Sequence, residues 1–213
     1  MRRDVVHAVL LGAVVCSSLS LVGCARSSPS SGVASGSIHC SAVKGSVDFQ
    51  PPLDSTGGSA ERVTVKARLS RCFTTGSSVR AVSAGTVTST ILVATNACSG
   101  LLQFPSSLGG VSTPLSSRRV VVDTKWHPAS IAPTTAIFSG FSVTTNDSGS
   151  PGFAFPGVGH QAKVTGSFAG TNRGALSTAV VFTNQGVDEL AAECSRPSGM
   201  ASIELSSGEV TFL

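Results

Sequence analysis

Two stretches with a two-residue apolar period, SVDFQPPL (46–53) and RVTVKARLSRC (62–72), lie on either side of a turn-rich segment, PPLDSTGGSAE. Such alternation marks strands with one buried face. Two such runs joined by a single loop fold back as an antiparallel pair, and a slip of one residue would turn every apolar side chain outward. Setting Val47 against Val65 and Phe49 against Val63 keeps both rows on one face. Continued residue for residue, this ladder places Cys40 opposite Cys72, and the Cα separation of about 4.5–5.5 Å across such a pair suits a disulfide. A bulge near Lys44 and Gly45 would break the count. Cys98 and Cys194 are then left for each other, although four cysteines allow three connectivities in all.

Further strand candidates recur at short intervals: 82–94, 119–126, 136–144, 162–168, 176–182, 201–205 and 210–212, beside 38–49 and 63–69 for the pair above. The loops TTGSS, NDSGSPG, GTNRG and SRPSG between them consist of residues that tolerate turn geometry. Only 12% of residues are charged and there are 23 glycines, which with many β-branched residues favours β structure. TNQGVDELAAEC breaks the pattern: Val187, Leu190, Ala191 and Cys194 fall at helical spacing, with Asp188 and Glu189 near the start. The expectation is an all-β domain, an antiparallel β-sandwich or barrel, with one short helix near residues 184–194. Phe138, Phe141, Phe168, Phe182 and Phe212 lie in strand candidates and read as core. Phe153 and Phe155 sit in GFAFPGVGH, a loop that either presents them to a partner or tucks them inward. Trp126 reads as a plug at one end of the sheets.

The chain begins with Met1-Arg2-Arg3 and an apolar run, AVLLGAVVC, that is interrupted by Ser17, Ser18 and Ser20. A basic start and a short apolar run make a signal peptide rather than a membrane span. Next come Leu21, Val22, Gly23 and Cys24, an aliphatic–small–small–Cys order that resembles the lipobox of bacterial lipoproteins. The resemblance implies cleavage between Gly23 and Cys24 and a diacylglyceryl group on the Cys24 thiol. The body would then hang from the extracytoplasmic face of the membrane. The Ser- and Gly-rich stretch that follows has no buried-face period and reads as a flexible tether. This divides the chain into a signal peptide (1–23), a lipidated cysteine with tether (24–37) and one β-rich domain (38–213). The RRDVV start faintly resembles a twin-arginine export signal, but its surroundings match poorly and Sec export is the simpler reading. Segments such as SIHCSAVKGSVDFQPPL, TNACSGLL, SGFSVTT, TGSFAG and SGMASIELSSGEVTF resemble uncharacterised β-rich exported proteins of actinobacteria, a likeness that carries no activity and no site residue.

In an exported domain the four body cysteines Cys40, Cys72, Cys98 and Cys194 point to two disulfides. None forms the close C-x-x-C pair of a zinc site. His39, His127 and His160 are dispersed, so no metal site, no cofactor and no catalytic residue is assigned. Serine chemistry lacks the G-x-S-x-G turn, and SAVK (41–44) matches S-x-x-K only as a string, in a strand candidate rather than at a helix start. Carboxylates for glycoside cleavage would come from Asp48, Asp54, Glu61, Asp123, Asp147, Asp188, Glu189, Glu193, Glu204 and Glu209, most of them at turns or on alternating solvent faces. The net charge of +4 is scattered, with no Tyr and one Trp, which argues against nucleic acid. The leading expectation is therefore a non-enzymatic envelope lipoprotein whose domain binds an envelope partner or serves a structural role. A carrier with a hydrophobic ligand in a barrel lumen is the alternative, favoured by a lumen-facing apolar cavity of several hundred Å³ and removed by a fully packed interior. A hydrolase comes third and needs a histidine and a carboxylate converging in a cleft.

Overall fold

A computed structural model describes residues 32–77, 82–98, 119–139, 142–155, 162–169 and 177–213. They form an 11-stranded sheet: β1 (Ser37–Leu53), β2 (Glu61–Thr75), β3 (Ala84–Val93), β4 (Val120–His127), β5 (Thr134–Phe138), β6 (Ser142–Thr145), β7 (Pro151–Phe155), β8 (Ala162–Gly166), β9 (Thr178–Phe182), β10 (Met200–Leu205) and β11 (Ser207–Phe212). The strand order is β6-β7-β9-β11-β1-β2-β3-β4-β5-β8, with β10 also paired to β1. Every ladder is antiparallel. The sheet curls into a half-barrel, so the all-β expectation holds. The short terminal strands β6 and β8 are of the kind that limit edge-to-edge pairing.

Val47 pairs with Val65, Phe49 with Val63 and Cys40 with Cys72. The ladder passes through Gly45 without a break, and the close approach of strands explains that glycine: a Cβ there would lie 2.0 Å from the Lys66 carbonyl oxygen. An irregularity does occur, a few residues earlier. Cys40 lies opposite Val210, which faces the concave side, and Val43 faces that side too, so β1 changes parity between them. Between Leu69 and Cys72, β2 makes the same change, with Arg71 at φ +53°. Because both strands shift together, the register survives.

The helix, α1 (Val187–Cys194), has Asp188 and Glu189 in its first turn, where they complement the exposed N–H groups, and buries Leu190 and Cys194. It starts later than the expected 184. The 136–144 candidate divides into β5 and β6. NDSGSPG forms the turn between β6 and β7, where the Asn146 side chain accepts the Ser148 and Ser150 N–H groups. β7 itself was missed, because Pro151 and Gly152 read as loop. Gly152 is required by proximity, since a Cβ would stand 2.3 Å from the Val181 carbonyl oxygen on β9.

Of the expected tether, residues 24–31 lie outside the described residues. Its last part, 32–37, is held on the body. Gly32 forms a parallel bridge with Ile131, its N–H donating to the Ser130 carbonyl at 2.9 Å. Ala34 is buried, donates to Ser167 Oγ at 3.0 Å and accepts from the Phe168 N–H at 2.8 Å. The same corner holds Trp126. Its indole donates to Thr134 Oγ1 at 2.8 Å, which in turn donates to the Ser167 carbonyl at 2.5 Å. Trp126 is buried, edge-on to Phe168 and Phe212, as expected of a plug. Opposite it stands Gly85, where any Cβ would press on the ring.

Candidate functional site

The inward rows of the curled strands meet in an apolar cavity of about 100 Å³. β2 contributes Val63, Val65, Ala67 and Leu69, and the facing positions of β3 contribute Val87 and Ile91. Phe153 and Phe155 of β7 also line it, which settles their orientation: inward, with Phe155 tilted against Phe138 at 5.5 Å between ring centroids. Among the described residues Ser89 is the one polar lining residue, and its hydroxyl donates to the Val121 carbonyl at 2.6 Å. The space is several times the roughly 10–15 Å³ that admits one water, yet it offers a water no partner. It is also smaller than the roughly 300–1,000 Å³ of capacious ligand pockets. It has room for a short stretch of hydrocarbon and falls short of the several hundred Å³ expected of a carrier lumen.

The Trp126–Phe168–Phe212 cluster lies at the end of the sheet where β1 begins. At the opposite end, on the same inward row of β2 as Val63 and Val65, stands Glu61. It is 4% exposed, and its Oε1 has no hydrogen-bond partner. Desolvation pushes its carboxyl up from 4.5 to about 7. Glu61 had been one of ten undistinguished carboxylates, and its parity with Val63 and Val65 was the signal that sets it apart.

The titration of Glu61 has a measurable consequence. Between pH 4.5 and 7 the unfolded chain has already released a proton that the folded one retains, so stability falls as pH rises through that window and levels off above it. The expected loss is on the order of 2 kcal/mol, and Glu61→Gln removes it. Urea unfolding of both proteins from pH 4 to 8 checks this. Parallel pH profiles for wild type and variant would rule it out.

The other expected site residues are placed as follows. Disulfides join Cys40 to Cys72 and Cys98 to Cys194. Asp54 closes the β1–β2 loop, accepting from the Gly57 and Thr56 N–H groups and the Thr56 hydroxyl. These bonds, with one from Asn96, hold its carboxyl below the ordinary range. His39 bonds Thr211 at 2.8 Å and rests on Phe73, away from any carboxylate cluster. Among the described residues no group of three or more His, Cys, Asp or Glu side chains is placed to hold a metal, and no helix is long and apolar enough to cross a membrane. Gly23, Cys24 and His160 lie outside the described residues.

Fold and concave face together define a β domain of binding or structural type. No family model matches the chain, and no curated protein or solved structure matches it either.

Proposed function

We propose that this chain is a lipid-anchored envelope protein whose domain holds a hydrophobic ligand against the concave face of its half-barrel. The cavity, apolar except for Ser89 with its bonded hydroxyl, carries this reading. A packed domain of this size fills its interior to crystal-like density and leaves few voids larger than a water. Here the side chains of several strands stop short of one another, although exchanging valines for larger residues would close the space. The anchor rests on the lipobox-like Leu21–Cys24 string, and the two disulfides agree with an oxidising compartment. For the alternative of a purely protein-binding surface, the described residues offer only the separate exposed apolar side chains of Val33, Phe73, Leu92 and Val121.

Val65→Phe tests the reading. Val65 is half-buried and lines the cavity, so the ring enters free space at a stability change below about 1.5 kcal/mol. Wild-type protein purified from its native envelope is expected to yield an extractable apolar species by mass spectrometry. Once stripped, it should take up a fluorescent naphthylamine probe. The variant should lose about tenfold or more in probe affinity. A stripped wild type that binds no probe, or a variant that binds as well, would sink the proposal.

A further inference from the structure

The concave face ends in a group that a pure hydrocarbon site would not contain. The pairing of β2 with β3 is unbroken from Glu61–Val93 to Ser70–Ala84, so the alternation of faces holds along the strand. Glu61 therefore points to the same side as Val63, about 7 Å further along the strand and just beyond the residues that line the cavity, so a guest reaches it only by parting the side chains that cover it. Burying an acceptor without a partner costs about 1–3 kcal/mol, and more when it is charged. The strands beside Glu61 do not compensate it. Val93 stands opposite on β3, and β1 brings the buried Phe49 and Leu53. Arg62 is on the exposed face, Asp48 is paired with Lys66, and Asp54 is committed to its own turn. With the Ser89 hydroxyl already bonded, two buried side-chain oxygens among the described residues lack a partner: Thr124 Oγ1, two residues from Trp126 on β4, and Glu61 Oε1, of which Glu61 alone belongs to a carboxyl group and lies at the end away from the indole.

We propose that Glu61 receives the head group of the ligand, and that the ligand is a single-chain amphiphile ending in a hydrogen-bond donor, an amine or a hydroxyl. The chain lies along Val63, Val65 and Ile91, and the head donates to the carboxylate. A fatty acid is disfavoured, because at alkaline pH its carboxylate would meet a second one in a site of low dielectric. This inference rests on the cavity being a ligand site.

The test uses the stripped full-length protein at pH 8 with a bound naphthylamine probe, displaced by dodecylamine, dodecanol or dodecanoic acid, each below its aggregation threshold. In wild type the amine and the alcohol are expected to displace the probe at about tenfold lower concentration than the acid. Glu61→Leu should erase that ranking while still binding the probe. Glu61→Gln, which keeps a carbonyl acceptor without charge, should retain the preference for the alcohol and lose the extra affinity for the amine. Equal displacement by all three in wild type overturns the proposal and leaves the cavity reading standing, as does a preference that persists in Glu61→Leu. A wild type that binds no probe overturns both.

Discussion

Replacing Cys98 and Cys194 together by serine is expected to lower the unfolding free energy by about 4 kcal/mol, read from urea denaturation of oxidised wild type and variant. The bridge spans a sequence separation of 96, so it removes much of the freedom of the unfolded chain. Its local role is as large. An eight-residue helix is marginal by itself, and α1 has no side-chain cap at Gly186 and buries only Leu190 besides Cys194. At its other end the bridge holds a clasp. The Cys98 N–H donates to the Asp54 carbonyl at 2.8 Å, and Asn96 Nδ2 reaches the Pro52 carbonyl at 2.9 Å. Amide exchange over 187–194 should accelerate in the double variant. The Cys40–Cys72 pair, with a separation of 32, joins residues that already face each other in a ladder, so its removal should cost less, about 3 kcal/mol. The reverse order of costs, or unchanged exchange in α1, would refute this division.

Cys24→Ala is expected to move the protein from the membrane fraction to the medium almost completely. Each buried methylene of an acyl chain contributes about 0.8 kcal/mol to membrane affinity, so losing a diacylglyceryl group lowers partitioning by many orders of magnitude. Fractionation followed by immunoblotting measures it, and the intact mass of the wild type supplies the second readout. If the variant stays with the membrane, or the wild-type mass lacks the acyl increment, Cys24 is not the anchor.

How much of this was legible in the sequence varied with the range of the interaction. The β1–β2 register and the position opposite Cys40 followed from parity, which excludes a slip of one residue, together with the direct pairing of Val47 with Val65 and Phe49 with Val63. The parity change near Ser41 could not be read, yet it did no harm, since β2 makes the same change beside Arg71. α1 was legible from the spacing of Val187, Leu190 and Cys194. β7 was not. Pro151 and Gly152 carry the composition of a turn, and what makes them a strand is β9 lying alongside, a partner far away in sequence. The cavity was illegible for the same reason, since its size depends on how far the sheet curls. Glu61 was half legible: its face could be counted from Val63, but its burial could not.

The docking of Gly32 and Ala34 limits how far the body could stand from the proposed anchor. Were Cys24 acylated, the chain from there to Gly32 would reach at most about 28 Å. Gly32 docks on the β4–β5 turn, so an anchor at Cys24, as proposed, would bring the indole-plugged end of the half-barrel nearer the lipid than the end that carries Glu61.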